Sequence, residues 1–437
     1  MADQAKDSKG ILGWYFNANL LYRILAGLII GATIGIGLGL FAPGMVPGYV
    51  KHTKFFGDVF INLLRMIVVP TIFFSLIAGS ATITPKQLGR IGGKTLAYYM
   101  GTSVICIGIA LVFGNIFSPG AGLKMVGEAT AAARTLKAPG FAEVLLAIIP
   151  VNPVDALAKG QVLPIIFYAL ISGISLAILR DTKGELGTYA DATFNMFTVL
   201  AEIMFKIVRG VMEYAPVGVF VLISNVFAQQ GPRVIGPTLY VLVVFYLAWA
   251  VHWILGYGGL LRFFGLSFTK FLNGVKDASI TAFVTRSSAA TLPVTLRVTE
   301  ENLGVPRPIC SFALPIGATV NMDGTAIYLT VGAMFIANAV GMPLGFEQQL
   351  MLMLVATLGA IGAAGVPGAG AIMMLMVLEA IDLPVTAGSA VAVAYALILG
   401  IDALFDMGRT CMNVSGDVVG AAIVAKTENQ LDMSKWQ

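Results

Sequence analysis

The sequence has 437 residues, of which 57% are hydrophobic and only 11% are charged, and its mean hydropathy is +0.87. Soluble globular chains carry roughly 25% charged residues, so this composition excludes a soluble domain and indicates a chain that lies in a lipid bilayer. The net charge of +4 is spread without a block of basic residues, which argues against a nucleic-acid partner. The three cysteines show no paired spacing, which argues against a disulfide framework or a zinc site.

Long apolar segments recur along the chain, and several approach the ~20 residues that a helix needs to cross the hydrocarbon core. Hydropathy predicts membrane spans near residues 19–42, 55–80, 92–117, 197–228 and 234–262. A broken region covers about 140–180. An outer-membrane barrel would show short alternating segments instead. We therefore predict an all-α polytopic membrane protein with an uncleaved first span.

Basic residues in two loops predict the orientation of the chain. Lys86, Arg90 and Lys94 stand in one loop without an acidic residue, and Arg262 and Lys270 precede a later segment. Positively charged loops remain on the cytoplasmic side of a membrane. We expect a multi-pass protein of the inner cell membrane with its N- and C-termini in the cytoplasm.

Two segments in the second half of the chain are too interrupted to cross the membrane as full helices. Residues 279–295 read SITAFVTRSSAATLPVT, in which a polar patch and Pro293 break an apolar stretch. Residues 358–371 read LGAIGAAGVPGAGA, where five glycines and Pro367 do not sustain a helix but allow a close backbone approach. Each is predicted to form a re-entrant helical hairpin, and such pairs point to a transport site between inverted repeats. Close packing of small residues is the alternative explanation.

The last apolar segment, 390–425, carries five polar residues on one predicted helix face. They are Asp402, Asp406, Arg409, Asn413 and Asp417, spaced 4, 3, 4 and 4. An ionisable residue at the centre of a membrane helix costs roughly 2.5–3.5 kcal/mol, so this face is predicted to line a substrate or ion path. A self-contained ion cluster is the alternative, although three acids against one base leave negative charge that favours a bound cation.

The segment NMDGT, from Asn321 to Thr325, predicts local unwinding in the middle of a span, because glycine and Asx residues favour turns. Unwound carbonyls and carboxylates are hard oxygen ligands, so we predict a cation site and favour sodium over calcium or magnesium. Arg409 can fork two hydrogen bonds to a carboxylate, and Asp406 can face an ammonium group. With hairpin amides for a second carboxylate, these groups describe an acidic amino acid.

Four ordered stretches resemble the signatures of one family: TRSSAATLPVT, NMDGT, AAGVPGAGA and DALFDMGRTCMNVSGD. They are similar to those of the dicarboxylate/amino acid:cation symporters, the glutamate/aspartate transporter family, and the resemblance covers nearly the whole chain. It implies eight transmembrane helices plus two re-entrant hairpins, built as inverted repeats in a homotrimer. It also implies an elevator, in which a transport domain (82–118 and 231–437) moves against a scaffold (1–81 and 119–230).

The resemblance also implies roles for individual residues. Arg409 would bind the side-chain carboxylate of the substrate, and Asp406 its amine. The pocket would be completed by Thr325, Thr410, Asn413, Ser287, Ser288 and the backbone from Val366 to Gly370. Two or three sodium sites are implied. The first comprises Gly317, Asn321, Asn413 and Asp417. The second comprises Tyr99, Thr102, Ser103, Asn321 and Asp323. The third comprises carbonyls near Thr319, Met322, Ala360, Ile361 and Ala363.

Three positions depart from the family pattern. Leu329 stands where vertebrate members have a glutamate, which argues against potassium counter-transport, and leucine there is typical of the C4-dicarboxylate branch. Ala289 and Ala360 replace hairpin serines. A C4-dicarboxylate symporter and a proton-coupled glutamate/aspartate carrier are therefore the alternatives to a sodium-coupled carrier, although Asp406 would repel a substrate without an amine.

Other function classes fit the sequence less well. An intramembrane aspartyl protease needs two aspartates that share a proton, whereas Arg409 would hold its neighbours ionised, and no GxGD occurs. A simple channel would not show saturable, gradient-coupled flux. The stretch GRIGGKT lacks the first glycine of a phosphate-binding loop. His252, near Trp249 and Trp253, is interpreted as an interfacial or packing residue.

Overall fold

A computed structural model of the chain describes residues 18–82, 89–123, 125, 146, 148–362, 365, 367–386 and 388–436. Every regular element among these residues is a helix, and they contain no strand. Five helical stretches in this part of the chain are long and apolar enough to cross a membrane, or six if one bent pair is a single span. The all-helical class is confirmed for the described residues, while the count of eight spans and two re-entrant hairpins stays a prediction.

In the first half of the chain, the described residues form six α-helices. They are α1 Leu20–Phe41, α2 Val46–Ala81, α3 Arg90–Phe117, α4 Pro153–Lys159, α5 Val162–Arg180 and α6 Glu185–Gln230. The first three match the predicted spans, and the predicted broken region contains α4 and α5, which are separated at Gly160. Residues 140–145 of that region lie outside the described residues.

Helix α6 begins at Glu185, whereas hydropathy predicted a start near residue 197. The predicted span, 197–228, lies within this helix, and the first three turns are a more polar extension before it. Glu185 lies in the first turn, where a negative charge stabilises the helix dipole. The helix therefore extends beyond the apolar segment that a hydropathy window detects.

A row of glycines lets α1 pack closely against α6. The row consists of Gly27, Gly31, Gly35 and Gly39. A Cβ atom added to any of the four would lie 2.4 to 2.9 Å from a backbone oxygen of α6. Spacing by four residues places the glycines on one helix face, and small residues are typical where membrane helices approach closely. Helices α1, α2, α5 and α6 form one packed group.

In the second half of the chain, the described residues form ten α-helices and a π-helical turn. They are α7 Ile235–Val251, the π-helical turn His252–Tyr257, α8 Gly258–Phe263, α9 Phe268–Thr285, α10 Ser288–Glu301, α11 Arg307–Val320, α12 Asp323–Ala339, α13 Phe346–Gly362, α14 Ala369–Ala380, α15 Ala390–Gly400 and α16 Asp402–Thr427. Helix α16 packs against α9, α11, α12 and α3. The last helix of the chain is therefore the centre of this half.

Each of the two interrupted segments forms a pair of helices. The side-chain amide of Asn302, which directly follows α10, donates to the Gly274 carbonyl in α9 at 3.0 Å, so these helices run antiparallel. In the second pair, a Cβ added to Gly359 of α13 would touch the Met376 methyl group of α14. Both pairs are helical hairpins in shape, and their re-entrant position in a membrane stays a prediction.

The prediction of one continuous helix over 390–425 was wrong. Helix α15 ends at Gly400, α16 begins at Asp402, and the two axes are bent by 63°. A Cβ added to Gly400 would lie 3.0 Å from Ile223 and 3.1 Å from Leu28, so the chain turns where it meets α6 and α1. Asp402 stabilises the new helix start. The polar face predicted for this segment lies entirely on α16.

Candidate functional site

The polar face of α16 lies inside the protein. Its five predicted residues expose only 2 to 5% of their surface. A face with three carboxylates and one guanidinium is therefore shielded from the surrounding lipid, as the cost of intramembrane charge requires. The prediction that this face lines a polar interior is confirmed.

Arg409 is held by two aspartates of its own helix. Its Nε donates to Asp406 Oδ1 at 2.8 Å, and its Nη1 donates to Asp402 Oδ1 at 3.0 Å. The guanidinium carbon also lies 4.6 Å from the centre of the Tyr328 ring, a distance at which a cation and an aromatic face attract. The ion cluster considered as an alternative is thus present, and it fixes the guanidinium in one position.

The turn between α13 and α14 covers this ion cluster. The Gly368 amide donates to Asp406 Oδ2 at 3.2 Å. A Cβ added to Gly370 would lie 2.1 Å from Arg409 Nη1. Gly368 has a φ of +83°, a conformation that glycine adopts without strain. The glycine-rich segment approaches charged side chains closely, as its composition predicted.

The two hairpin turns also contact each other. Ser287 Oγ donates to the Gly365 carbonyl at 2.8 Å, and the Ala289 amide lies 3.4 Å from the same oxygen. Ser287 is therefore occupied by the opposite turn in this structure. The contact places both hairpin turns beside the polar face of α16, where Arg286, Ser288 and Gly365 line a cavity with Asp406 and Arg409.

A small cavity of about 10 Å³ lies beneath the turns. It is lined by Arg286, Ser288, Met322, Thr325, Gly365, Ala369, Gly370, Asp406, Arg409, Thr410 and Asn413. Seven of the nine predicted substrate residues are in this set; Ser287 is adjacent, and Val366 lies outside the described residues. Arg286 and Gly365 were not predicted as site residues, and Ala369 falls within the predicted backbone stretch from Val366 to Gly370.

The break between α11 and α12 forms one wall of the cavity. Helix α11 ends at Val320 and α12 begins at Asp323, so the predicted unwinding within NMDGT is confirmed. Asn413 of α16 accepts a hydrogen bond from the Gly324 amide at 2.8 Å and lies 3.3 Å from Thr325 Oγ1. A Cβ added to Gly324 would lie 2.3 Å from the Arg409 carbonyl, so only glycine fits there.

The residues predicted for the first sodium site lie together below the cavity. Asn321 Nδ2 donates to Asp417 Oδ1 at 3.0 Å and lies 3.5 Å from the Asn413 carbonyl. A Cβ added to Gly317 would lie 2.4 Å from Asp417 Oδ1. The structure thus brings together one carboxylate, one amide and backbone carbonyls, all of them buried.

Four of the five residues predicted for the second sodium site are also brought together. Thr102 Oγ1 lies 3.4 Å from Asn321 Oδ1, and Ser103 Oγ donates to Asp323 Oδ1 at 3.0 Å. The hydroxyl group of Tyr99 instead donates to the Ala313 carbonyl at 2.9 Å. The Tyr99 hydroxyl remains close to the residues of the first sodium site, because a Cβ added to Gly317 would lie 2.6 Å from it.

Asp323 has two further partners that the sequence did not indicate. The Tyr257 hydroxyl donates to Asp323 Oδ2 at 2.8 Å, and His252 Nε2 lies 3.3 Å from the same oxygen. His252 was interpreted as an interfacial or packing residue; it is fully buried, which excludes the interfacial position and agrees with packing in the interior. Both partners come from the π-helical turn, and such turns are frequent at functional sites.

The residues of the predicted third sodium site lie at the ends of two helices that pack together. Thr319 is in the last turn of α11, Met322 is in the break, and Ala360 and Ile361 are in the last turn of α13. Ala363 lies outside the described residues, so this set stays a prediction.

Comparison with known proteins identifies the family. The family model of the Sodium:dicarboxylate symporter family matches residues 20–427. This chain belongs to that family. As a member of the Sodium:dicarboxylate symporter family, it is a multi-pass membrane transporter and not an enzyme.

Curated members of the Sodium:dicarboxylate symporter family are similar over almost their full length. The Proton/glutamate-aspartate symporter of Escherichia coli (strain K12) is 33% identical over 95% of this chain and 94% of that protein. The Proton/sodium-glutamate symport protein of Geobacillus stearothermophilus is 32% identical over 95% of this chain and 96% of that protein. A C4-dicarboxylate transport protein of Brucella anthropi is 33% identical over 93% of this chain and 90% of that protein.

Proposed function

We propose that this protein is a secondary active symporter that takes up acidic amino acids, aspartate or glutamate, together with sodium. The observation that carries the proposal is the Arg409–Asp406 ion pair in the wall of a cavity. A substrate with two carboxylates and one ammonium group can replace this ion pair with two new ion pairs. One substrate carboxylate accepts two hydrogen bonds from the Arg409 guanidinium, and the ammonium group faces the Asp406 carboxylate.

Charge balance supports a zwitterionic amino acid over a neutral solute. Arg409 and Asp406 expose only 2% and 3% of their surface, and a buried charge that loses its partner is strongly destabilised. A neutral solute would separate the pair without replacing either partner.

The two aspartates below the cavity support sodium as the coupling ion. Asp417 and Asp323 are both buried; Asp417 accepts a hydrogen bond from the Asn321 side-chain amide, and Asp323 accepts one from the Ser103 hydroxyl. Carboxylate, amide and hydroxyl oxygens are hard ligands that suit alkali cations. The third set, around Thr319 and Met322, would add a further site.

In this proposal, cation binding and substrate binding are coupled because the same side chains take part in both. Asn321 contacts both cation sets, and Asn413 bonds to the break that forms the cavity wall. A bound cation would therefore favour one geometry of the break. Cation and substrate then raise each other's affinity by the same factor, as linkage requires.

The proposal includes an elevator movement in a homotrimer of the inner membrane, with both termini in the cytoplasm. The transport domain would comprise 82–118 and 231–437, and the scaffold 1–81 and 119–230. The packing of α1, α2, α5 and α6 in one group, and of α3, α9, α11 and α12 around α16, supports this division.

A C4-dicarboxylate symporter is the second candidate, and one observation favours it. Asp406 already accepts hydrogen bonds from Arg409 and from the Gly368 amide. If these bonds persisted with substrate bound, no amine would be needed. Leu329 and the C4-dicarboxylate transport proteins among the relatives support the same candidate. Proton coupling is the rival to sodium, since the Escherichia coli relative bears the name of a proton symporter.

Transport by the purified protein in liposomes tests the proposal. Uptake of labelled aspartate, glutamate and succinate would be compared under an imposed sodium gradient and under an imposed proton gradient. We expect aspartate or glutamate uptake to saturate and to follow the sodium gradient. Preferential uptake of succinate would establish the second candidate, and uptake driven by protons alone would overturn sodium coupling.

A further inference from the structure

The residues that follow α16 fold back onto the protein and have no role in the proposed function. The chain turns at Asn429, which has a φ of +56°, and the amides around it bond back to the last turn of α16. This pattern closes a helix and reverses the chain. A 3₁₀ turn, Met433–Lys435, follows and is capped by the side chain of Asp432. Residues 428–436 are called the strap below.

The strap binds the turn between α10 and α11. The Asp432 amide donates to the Gly304 carbonyl at 3.1 Å, and Trp436 Nε1 donates to the Leu303 carbonyl at 2.8 Å. Gly304 has a φ of +65°, and a Cβ added to it would lie 2.7 Å from the Asp432 Cβ. Glycine at this position therefore allows the strap to approach the turn closely.

The contact between the strap and the turn is buried. Trp436 exposes 4% of its surface, and Leu303 and Val305 expose 1% each. A buried tryptophan needs a partner for its indole N–H, which the Leu303 carbonyl supplies here. Segments outside helices usually run exposed over the surface, so burial of this extent indicates a contact that the folded protein keeps.

The bound turn is the far end of two helices whose near ends reach the site. Helix α10 runs from Ser288, which lines the cavity, to Glu301 beside the turn. Helix α11 runs from Arg307, just after the turn, to Val320, next to the Asn321 of both cation sets. Each has 14 residues, or about 21 Å at 1.5 Å per residue. A tilt at the turn is therefore transmitted to the site by two rigid helices.

The strap connects these two helices to the opposite wall of the site. Helix α16 carries Asp406, Arg409 and Asp417, and it packs against α10 and α11 along its length. The strap continues α16 and returns to the α10–α11 turn. The three helices and the strap thus form a closed loop around the site, and loss of the strap opens this loop at its far end.

We propose that Trp436 and Asp432 are positioning residues for symport, which fix the α10–α11 turn to the end of α16. They thereby determine where Ser288 and the cation residues at the end of α11 lie relative to α16. The inference rests on the proposed function, because it concerns the cavity and the cation sets of that proposal. Neither residue touches substrate or cation, so loss of the strap weakens binding through geometry alone.

Binding of labelled aspartate to the detergent-purified full chain, titrated with sodium, tests the role of Trp436. The variant Trp436→Ala removes both the ring and the indole donor. We expect the sodium concentration for half-maximal binding to rise at least about tenfold, because a small misplacement of binding groups has a large effect.

Gly35→Ala is the matched control for a general loss of stability. Its added methyl group strains the separate contact of α1 with α6, so its Tm should fall while its sodium requirement stays unchanged. If both variants lower the Tm and neither changes the sodium requirement, the strap only stabilises the fold and the inference fails.

A conservative variant gives a graded result. Trp436→Phe keeps an aromatic ring and loses only the hydrogen bond to the Leu303 carbonyl, so the sodium requirement should rise about two- to fivefold. This variant also replaces Trp436→Ala if the alanine variant does not fold. An unchanged sodium requirement in Trp436→Phe would then overturn the inference.

Hydrogen–deuterium exchange locates the effect within the protein. In Trp436→Ala the backbone amides in the first half of α10 should exchange at least about tenfold faster, whereas those of α1 should exchange as in the unmodified protein. Faster exchange confined to the strap and the α10–α11 turn would contradict a positioning role. If the unmodified protein binds no acidic amino acid or dicarboxylate, the proposed function fails, and the exchange result still decides whether the strap positions α10.

Discussion

Asn321 Nδ2 donates a hydrogen bond to Asp417 Oδ1 over 3.0 Å, and this bond joins the break before α12 to the last helix. The oxygen of the same side chain lies 3.4 Å from Thr102 Oγ1 of α3. One amide group thus connects three helices at the level where cations are proposed to bind. A cation that coordinates Asp417 has to rearrange these contacts, which gives a physical route from ion binding to the geometry of the cavity.

Replacement of Asp417 tests this route. Asp417→Asn keeps the shape and hydrogen-bonding capacity of the side chain but removes the charge that would bind a cation. We expect the sodium concentration for half-maximal aspartate binding to rise at least about tenfold, in line with the loss of a charged interaction. Asp277→Asn, at a side chain that is 51% exposed, is the control. An unchanged sodium requirement in Asp417→Asn would remove Asp417 from the cation site.

Gly370 is predicted to be essential for substrate binding because no other residue fits above the guanidinium. In Gly370→Ala the new methyl group would lie 2.1 Å from Arg409 Nη1, so the guanidinium or the turn has to move. We expect aspartate binding to fall by at least about 100-fold, since a small misplacement at a site has an effect of this size. Gly236→Ala is the control, because an added Cβ there meets no atom within 4 Å. Normal affinity in Gly370→Ala would contradict the closed geometry.

The glycine row of α1 is predicted to determine stability and not substrate affinity. Gly35→Ala places a Cβ 2.4 Å from the Ser224 carbonyl, and overpacking of this kind costs about 1–3 kcal/mol. Gly37→Ala, on the same helix, meets no atom within 4 Å and should be neutral or stabilising. Thermal unfolding in detergent compares the two variants. Equal Tm values would show that α1 does not pack on α6 through this face.

The C-terminal end of α16 is predicted to give the protein an acid-sensitive contact. Glu428 accepts hydrogen bonds from Arg90 Nε at 2.9 Å and from Lys94 Nζ at 2.6 Å. These bonds lower the pKa of the Glu428 carboxyl from 4.5 to about 2, and the bond from Arg90 has the largest effect. Because the pKa is lower in the folded state, the contact stabilises fully above about pH 4.5 and is lost as the pH falls toward 2.

The substitution Glu428→Gln removes this dependence of stability on pH. The difference in Tm between the unmodified protein and the variant should be largest near neutral pH and should shrink below about pH 4.5. A constant difference from neutral pH down to about pH 3 would show that the Glu428 contact does not titrate in this window.

The polar face of α16 could be predicted from the sequence because two local rules agree. A spacing of three and four residues gives one helix face, and charge on that face cannot point to lipid. The bend at Ile401 could not be predicted in this way. It occurs where Gly400 meets Ile223 and Leu28, which are far away in the sequence, so no local pattern reports the contact.

The partners of the site residues were harder to predict than the residues themselves. His252 and Tyr257 reach Asp323 from a π-helical turn, and hydrophobic periodicity does not reveal such a change of helical register. Arg286 directly precedes two predicted site serines in the sequence, and this position was the signal that could have identified it as a site residue. Its charge alone does not show whether the side chain lies in a cavity or among lipid headgroups.

Uptake of aspartate and succinate by Asp406→Ala, in liposomes with an imposed inward sodium gradient, tests the central claim most directly. The claim is that the buried face of α16 binds an acidic amino acid, with Asp406 facing its amine. The unmodified carrier should prefer aspartate, whereas Asp406→Ala should lose aspartate uptake and keep or improve succinate uptake. A preference for succinate in the unmodified carrier, or undiminished aspartate uptake in Asp406→Ala, would contradict the account.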